Sequence, residues 1–289
     1  MKTNSKNTVA IIVPLFNEQK VINGVLRSLL KEVVLLGADI LVVNDGSTDQ
    51  TLKHLKKFKE DIEIISYEKN RGKGFAMRQG ADFAHKRGYQ TIVFFDGDGQ
   101  FITSDLKKVI GRLGDDCDLA VGRRWLNFVH LFTSKIGRLM VRRIFNLFFS
   151  AELTDQLSGF RAMKSWVYPI VRWKVNDYRV EIEMLARASL NDIKVKEIPV
   201  NCRKKLYRGI TWQDGVKIFA WMAVNLFRRR NLQTDGRKWQ AKTKEREVPP
   251  SVLARELYLK RLSSLGGEKQ SLIKEEGYGK NKVRVKQVL

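Results

Sequence analysis

The sequence is poor in cysteine and contains no long hydrophobic run. Its 289 residues include only Cys117 and Cys202, which provide no disulfide framework, no Cys-x-x-Cys pair and no zinc pattern. No uninterrupted apolar stretch approaches the roughly 18 to 20 residues of a membrane span. The first ten residues are polar and lack a signal-peptide pattern. We therefore expect a protein of the reducing cytoplasm without a transmembrane helix.

Two common nucleotide-binding motifs are also missing. The Arg-Gly-Lys-Gly run at residues 71–74 lacks the upstream glycine and the following Ser/Thr of a P-loop. No complete Gly-x-Gly-x-x-Gly follows the first apolar run, which argues against a dinucleotide-binding site. The sequence shows no internal repeat either, so its function has to be inferred from other features.

Acidic residues are scarce relative to basic ones, and the imbalance is uneven along the chain. There are 54 Lys/Arg against 31 Asp/Glu, a net charge of +23. Residues 1–120 carry +2, whereas residues 121–230 carry +14 and residues 231–289 carry +7. The middle segment also contains five of the six tryptophans. A basic, aromatic half fits contact with an anionic partner such as nucleic acid, a membrane surface or a phosphorylated lipid.

The first 120 residues alternate short apolar runs with amphipathic segments. The apolar runs predict strands at residues 9–15, 40–43, 62–67 and 92–95, and the amphipathic segments predict helices at 18–32, 51–58, 72–85 and 104–113. Ser47 and Gln50 have the spacing of a capping box for the second helix. Strands alternating with helices indicate an α/β fold with a mostly parallel sheet.

The pattern changes after residue 120 and again after residue 230. We expect a short strand at 119–121, a basic amphipathic segment at 127–150, a polar loop at 154–163, a helix at 181–190, a strand at 194–200 and a second amphipathic segment at 212–227. Past residue 231 hydrophobicity falls and charges alternate. A short helix at 252–265 and an otherwise mobile tail are expected there.

Polar residues follow each of the first four predicted strands. These turns lie at residues 14–18, 44–47, 70–74 and 96–98. Asn, Asp, Gly and Pro are ordinary turn residues, so any single turn has a purely structural explanation. Because the carboxyl ends of parallel strands meet at one edge of a sheet, four such turns in series favour a single cleft for a nucleotide.

The fourth turn, Asp-Gly-Asp-Gly-Gln, closes an apolar run with two carboxylates. Asp96, Asp98 and the amide of Gln100 offer hard oxygen ligands. Such ligands suit Mg²⁺ or Mn²⁺, which usually shares its coordination shell with substrate phosphates. We expect a divalent metal site at this position.

The order and the residue types of these turns resemble those of the family 2 glycosyltransferases, which share the Rossmann-like GT-A fold. Residues 8–124 cover the donor-binding half of that family. The resemblance implies that Pro14, Phe16 and Glu18 line the base and ribose site, that Asp45 recognises the base, that Lys73 belongs to a Gly-Lys-Gly turn, and that Asp96 and Asp98 hold Mg²⁺ or Mn²⁺ on the donor diphosphate. The sequence departs from the frequent Asp-Asp-Gly-Ser in having Asn44 at its first position.

The second half looks like the polyprenyl-phosphate branch of that family, which includes dolichyl-phosphate mannose and glucose synthases. The resemblance is carried by Gln100, Gly122-Arg123, residues 155–161, residues 198–200 and the Trp-Gln-Asp-Gly at 212. It covers residues 8–230 and implies a nucleotide-sugar donor and a lipid-phosphate acceptor. Many of these enzymes continue into transmembrane helices, for which this sequence has no hydrophobic segment.

The resemblance also suggests how the chain is divided. We expect one glycosyltransferase domain over residues 1–230, with a nucleotide-sugar half at 8–124 and an acceptor half at 125–230. Residues 231–289 are expected to form a basic, flexible tail.

The two amphipathic segments predict attachment to a membrane surface. In residues 127–150, Lys135, Arg138 and Arg142 recur at helical spacing among large aromatic residues, the composition of a helix lying in a membrane interface. A helix packed on the protein's own core with solvated basic residues explains this segment equally well. Residues 212–227, closed by three arginines, repeat the theme. We expect peripheral binding to an anionic membrane on its cytoplasmic face.

The expected acceptor sets the expected mechanism. A lipid phosphate is already ionised and can attack the anomeric carbon without a general base, whereas a sugar hydroxyl needs one. Metal on Asp96 and Asp98 would neutralise the leaving diphosphate. In-line attack would invert the anomeric centre. The expected donor is a nucleotide sugar, either GDP-mannose or UDP-glucose.

Arginines and one aspartate are the acceptor-side candidates. Guanidinium pairs with phosphate in bidentate fashion, so the candidates for phosphate contact are Arg123, Arg138, Arg142 and Arg161. Asp155 either orients the sugar or an arginine, or acts as a base for a hydroxyl acceptor. We assign catalytic roles to Asp98, Asp155 and Arg123.

Three other functions are compatible with parts of the sequence. A family 2 enzyme acting on a hydroxyl of a glycan or glycolipid would have the same donor half, with Asp155 as its base. A nucleic-acid-binding protein would explain the charge of +23 but not the acidic turns, so no nucleic-acid partner is expected. A catalytically dead scaffold would not need the intact Asp-x-Asp.

Overall fold

The buried apolar runs of the first half become neighbouring parallel strands. In the computed structural model of the protein, which describes residues 8–124, 132–149, 153–203, 212–227, 232 and 286–287, all of the strands belong to one sheet. The strands are β1 (Val9–Leu15), β2 (Ala38–Asp45), β3 (Glu63–Tyr67), β4 (Thr91–Phe94), β5 (Leu119–Arg124), β6 (Arg161–Lys164), β7 (Val195–Val200) and β8 (Lys286–Gln287). Their order is β7-β5-β6-β4-β1-β2-β3-β8.

Every neighbouring pair of strands is parallel except the two pairs made by β6. In the centre, Ile11 of β1 lies between Ile40 of β2 and Val93 of β4. All three side chains are buried, as expected for a sheet covered on both faces. The mostly parallel α/β fold predicted from the sequence is confirmed.

Helices cover both faces of the sheet. They are α1 (Ile22–Leu36), α2 (Thr51–Leu55), α3 (Lys73–Lys86), α4 (Leu106–Ile110), α5 (Phe132–Phe149), α6 (Tyr168–Val171), α7 (Val180–Leu190) and α8 (Trp212–Phe227). One hydrophobic core lies under α1, α2 and α4. The other lies under α3 and α5 to α8. The predicted halves 8–124 and 125–230 both contribute strands to the sheet, and their boundaries stay a prediction.

The strand β6 was not predicted, because residues 154–163 were expected to form a loop. β6 begins at Arg161 and runs antiparallel between β4 and β5, with Met163 opposite both Ile92 and Leu119. A four-residue strand that begins and ends with a basic residue has no apolar run of its own. Its register depends on distant strands, so sequence periodicity does not reveal it.

The capping box expected at Ser47 and Gln50 is wrong. No side chain caps α2, and the Ser47 hydroxyl accepts a hydrogen bond from the Asn17 amide instead. The Thr51 amide donates to Asp49 Oδ1 at 2.9 Å. α2 ends at Leu55 and continues as a short 3₁₀ helix, Lys56–Phe58. The Ser47 side chain, which precedes α2, therefore joins this turn to the turn after β1.

The two amphipathic segments form helices α5 and α8, which contact each other. α8 has the predicted bounds, whereas α5 begins at Phe132. The start of the first segment and the predicted helix at 252–265 lie outside the described residues. Among the helices that the structure describes, none has the length and apolar character needed to cross a membrane.

Trp173 connects the second half of the chain to the first by direct contacts. Its ring is fully buried, and its indole nitrogen donates to the Gly74 carbonyl at 2.7 Å. It also packs edge-to-face against Phe94 of β4. The hydrogen bond and the aromatic contact together hold the segment before α7 against the start of α3.

We expect Trp173→Phe to lower the free energy of unfolding by about 1–3 kcal/mol, because the buried Gly74 carbonyl loses its donor. Chemical denaturation followed by fluorescence measures this change. Trp166 is a matched control, since its side chain is partly exposed, and Trp166→Phe is expected to change stability by less than about 0.5 kcal/mol. Equal effects of the two substitutions would contradict the role of Trp173.

Candidate active site

The polar turns after β1 and β2 are joined by hydrogen bonds. The Asn17 amide donates to Ser47 Oγ at 3.0 Å, and the Thr48 amide donates to Asn17 Oδ1 at 2.8 Å. The Glu18 amide donates to Thr51 Oγ1 at 2.8 Å. Two turns that are distant in sequence therefore form one continuous rim at the carboxyl edge of the sheet.

Asp45 connects this rim to the turn after β3. Its buried carboxylate accepts the amides of Arg71 and Gly72 at 2.9 and 2.7 Å. Burial raises the pKa of Asp45 above its ordinary value, because desolvation outweighs the opposing effect of the two amides. Asp45 therefore shapes the 70–74 turn in this structure, and its recognition of a base stays a prediction.

Lys73, the first residue of α3, lies between two carboxylates. Its ammonium nitrogen is 2.7 Å from Asp96 Oδ1 and 2.8 Å from Glu181 Oε1. Burial alone lowers the pKa of Lys73, but the charges of Asp96 and then Glu181 outweigh it and raise the pKa above its ordinary value. Lys73 is therefore a fixed positive charge that joins the turns after β3 and β4 to α7.

Glycines allow the backbone to approach this cluster closely. A Cβ on Gly72 would collide with the Asn176 carbonyl, and one on Gly74 would lie 2.6 Å from the Val175 carbonyl. A Cβ on Gly159 would collide with the carboxylate of Asp96. The lysine turn and Asp96 are thus each pressed against backbone from the second half of the chain.

Asp98 and Gln100 complete the candidate metal-binding turn. Asp98 is nearly buried and accepts the Gln100 amide at 3.0 Å, while Gln100 Oε1 lies 3.5 Å from Arg124 Nη1. Together with Asp96 they form an oxygen-only donor set suited to Mg²⁺ or Mn²⁺. Within the described ranges, no group of three or more His, Cys, Asp or Glu forms a complete metal cage. The oxygen chemistry of these residues fits Mg²⁺ or Mn²⁺, and the binding of a metal there stays a prediction.

Asp155 is held by Arg124, a residue that was not among the predicted site residues. Arg124 Nε and Nη2 donate to the two carboxylate oxygens of Asp155 at 2.8 Å each, and the Arg124 amide adds a third bond at 3.1 Å. The Asp155 amide donates to Glu197 on β7 at 2.7 Å. Although burial lowers the pKa of Arg124, the charge of Asp155 raises it above its ordinary value, so the pair stays ionic.

Arg161 differs from its expected role, because its side chain is fully buried. Its guanidinium donates to the backbone carbonyls of Ser158, Glu181 and Gln156 at 2.9, 2.9 and 2.7 Å. Burial lowers its pKa to about 10. Arg161 therefore ties the loop before β6 to α7, and its guanidinium is not presented to a phosphate.

The family-level comparison agrees with this geometry. Residues 10–169 match the model of glycosyl transferase family 2. The chain belongs to that family. An uncharacterised protein of Methanocaldococcus jannaschii is 30% identical over 230 residues, which cover 76% of this chain and 90% of that protein.

Two named relatives of this family 2 glycosyltransferase are similar over most of its length. The UDP-N-acetylglucosamine–dolichyl-phosphate N-acetylglucosaminyltransferase of Methanococcus voltae is 30% identical, covering 73% of this chain and 93% of that protein. The dolichyl-phosphate β-glucosyltransferase of Saccharomyces cerevisiae is also 30% identical, covering 67% and 66%. The predicted resemblance to the dolichyl- and polyprenyl-phosphate branch is confirmed at this level.

Solved structures support the fold of the family 2 glycosyltransferase. Glucosyl-3-phosphoglycerate synthase from Mycobacterium tuberculosis, in complex with Mn²⁺, uridine diphosphate and phosphoglyceric acid, aligns with a TM-score of 0.62. It is 17% identical, and the alignment covers 77% of this chain and 79% of that one. The same enzyme with Mg²⁺ and uridine diphosphate gives a TM-score of 0.59. At this identity the likeness establishes the GT-A fold.

The remaining predicted donor residues of the family 2 enzyme lie at the same rim. Pro14 pairs with Val43 inside the sheet, Phe16 is exposed, and Glu18 is half-buried at the approach to α1. Beside Asp98, between the start of α1 and residues 99–103, is a cavity of about 420 Å³. The structure brings these residues to one edge, and their contacts with a nucleotide stay a prediction.

The arginines predicted to contact the acceptor phosphate do not lie together in the described structure. Arg123 and Arg124 are consecutive on β5, so their side chains leave opposite faces of the sheet. Only Arg124 is hydrogen-bonded to Asp155 and Gln100 among these two. Arg142 lies half-buried on α5, and the side chain of Arg138 lies outside the described residues.

Sequence reasoning missed Arg124 because the predicted strand ended at Val121. With the strand extended to Arg124, the alternation of side chains separates the two arginines. Glu181 and Glu197 were missed for a different reason. Each is a charged residue within an amphipathic element, and nothing local distinguishes it from a solvated residue.

We expect Arg161→Met to lower the free energy of unfolding by about 3–5 kcal/mol, because three buried carbonyls lose their donor. Arg123→Met is the control on the neighbouring strand and is expected to cost under about 1 kcal/mol. Denaturant titration of the two variants checks this difference. A stable Arg161→Met protein that has lost only its affinity for lipid phosphate would return Arg161 to its predicted role.

Proposed function

We propose that this protein is an inverting glycosyltransferase that transfers a hexose from a nucleotide sugar to a polyprenyl or dolichyl phosphate at a membrane surface. GDP-mannose and UDP-glucose are the proposed donors. The relative from Methanococcus voltae is named for UDP-N-acetylglucosamine, so that donor belongs in the same test. The similarity to dolichyl-phosphate transferases supports the class of acceptor.

The observation that carries the proposal is the pairing of Asp155 with Arg124. A general base must have a carboxylate oxygen within reach of the acceptor proton. Both oxygens of Asp155 accept hydrogen bonds from Arg124, and the carboxylate is almost completely buried. Asp155 is therefore a poor base and a good anchor for an arginine, which suits an acceptor that is already an anion.

The donor is proposed to bind along the rim formed by the first four turns. Pro14, Phe16 and Glu18 would line the nucleoside, and Asp45 would hold the adjoining turn. Lys73 lies at the N-terminus of α3, where the helix dipole and its own ammonium favour phosphate. We propose that the diphosphate binds beside Lys73 and the turn at Asp96, which contact each other directly in this structure.

Asp96, Asp98 and Gln100 are proposed to hold Mg²⁺ or Mn²⁺. When bound, the cation would neutralise the negative charge that develops on the departing diphosphate. The chain's own residues orient the reactants: Asp155 holds Arg124, and Arg124 also contacts Gln100. This pair connects the acceptor half to the metal-binding turn. Attack opposite the diphosphate would give a β-linked product from an α-linked donor.

The surface of α5 and α8 supports binding to an anionic membrane. One face of α5 is buried in the core through Val141, Phe145 and Phe149, while Leu147 on the other face is 75% exposed. On α8, Val216 and Val224 are exposed in the same way. α5 therefore packs on the core, as one of the two expectations had it, and it also presents apolar residues to solvent near exposed basic residues such as Arg143 and Lys217. Its contact with a membrane is the proposed part.

The reaction itself is tested with matched acceptors. A panel of GDP-mannose, UDP-glucose and UDP-N-acetylglucosamine is incubated with the protein, Mn²⁺ and either a polyprenyl phosphate or the same polyprenol without phosphate. We expect a glycolipid of the correct mass with the phosphate only, because both carboxylate oxygens of Asp155, the candidate base, are paired with Arg124. Proton NMR of the product reports its anomeric configuration.

Two results of this panel would contradict the proposal. Product from the polyprenol or from a glycan, and none from the phosphate, would favour the alternative in which a hydroxyl is glycosylated. An α-linked product would contradict inversion.

The membrane proposal is tested by introducing one negative charge on the exposed face of α5. We expect Leu147→Asp to weaken co-sedimentation with vesicles containing anionic phospholipid by about tenfold, since an apolar contact is lost and a repelled charge is added. Leu35→Asp on α1 is the matched control, because Leu35 is 82% exposed and lies on the opposite face of the sheet. Equal binding by the two variants would contradict the assignment of α5 to the membrane.

A further inference from the structure

The first turn of α7 contains two buried glutamates that make different contacts. Glu183 accepts the amides of Lys174 and Val175 at 3.0 and 3.1 Å and pairs with Arg187 at 2.9 Å. Both of its carboxylate oxygens are therefore occupied. Glu183 organises the segment before α7, and its contacts are those of a structural residue.

Glu181 is less completely satisfied than Glu183. Its Oε1 lies 2.8 Å from the Lys73 ammonium, but its buried Oε2 has no hydrogen-bond partner. A buried carboxylate with an unsatisfied oxygen costs free energy. An apolar side chain would avoid that cost if only packing were needed. The negative charge at this position therefore has a purpose connected with Lys73.

Lys73 is closely surrounded by the protein. The backbone on either side of it is confined, because Gly72 and Gly74 pack directly against residues 175–176. The ring of Tyr178 lies 5.8 Å from its ammonium. An ammonium fixed in this place and paired with Asp96 alone would compete with any cation that uses the same carboxylate.

We propose that Glu181 is a positioning residue for the metal-binding turn, an inference that rests on the proposed metal role of Asp96. Glu181 provides the Lys73 ammonium with a second ionic partner besides Asp96. The Asp96 carboxylate can then turn to a divalent cation without leaving Lys73 uncompensated. The same lysine stays in place for the donor diphosphate, so Glu181 allows one carboxylate to serve both cations.

The test measures binding of Mn²⁺ alone to the full-length protein, using the electron paramagnetic resonance signal of free Mn²⁺. We expect Glu181→Gln to weaken Mn²⁺ binding by about tenfold, because Lys73 then has only Asp96 as an ionic partner. Glu183→Gln is the matched control on the same turn. It leaves Arg187 buried without its partner and is expected to lower the melting temperature more, while changing Mn²⁺ affinity by less than about twofold.

A second pair of variants shows whether Glu181 acts through Lys73. Lys73→Met removes the ammonium, so adding Glu181→Gln to it is expected to change Mn²⁺ affinity by less than about twofold. Circular dichroism confirms that each variant is folded, and the charge-balanced double variant remains informative if a single variant is not.

The outcomes separate this inference from the proposed function. Equal losses of Mn²⁺ affinity in Glu181→Gln and Glu183→Gln, or a full loss that persists without Lys73, would overturn the role of Glu181 and leave the metal site intact. Failure of the wild-type protein to bind Mn²⁺ would overturn the metal assignment itself, and the inference with it.

Discussion

The ionic contact of Lys73 with Asp96 and Glu181 is the interaction on which the candidate site depends. It joins the start of α3, the turn after β4 and the first turn of α7. Desolvation of three charged groups is unfavourable, and only their mutual attraction offsets it. Removal of Lys73 would leave two carboxylates without their shared counterion in a poorly hydrated place. The site is therefore held as a unit.

Steric constraints reinforce this ionic contact. Gly72, Gly74 and Gly159 each lie where a side chain would collide with the backbone or with Asp96. The indole of Trp173 donates to Gly74 from the other side. Because protein interiors are densely packed, small residues at these points set how closely the two halves approach. That distance in turn allows Lys73 to reach Glu181.

Much of the donor side could be predicted from the sequence, because its signals are local. A buried run followed by Asn, Asp or Gly identifies both a strand and its turn, so β1 has its predicted bounds and the first four turns lie along one rim. The acceptor side depends on contacts between residues distant in sequence. The contacts of Arg124 with Asp155 and of Lys73 with Glu181 belong to a fold in which β6 lies antiparallel between β4 and β5. No local pattern contains that information.

The charge balance of the cluster bears on the acceptor. Lys73 is paired with both Asp96 and Glu181, and Arg124 is paired with Asp155. Arg161 donates its hydrogen bonds to backbone carbonyls inside the protein. With Asp98 included, four carboxylates accompany two basic groups, Lys73 and Arg124. A site with this excess of negative charge repels a diphosphate and a lipid phosphate. A divalent cation on Asp96 and Asp98 would offset the excess, so cation and donor would have to bind before or together with an anionic acceptor. Exposed basic residues of the described helices, such as Arg143 on α5 and Lys217 on α8, remain on the surface, and they are the basis of the proposed binding to an anionic membrane.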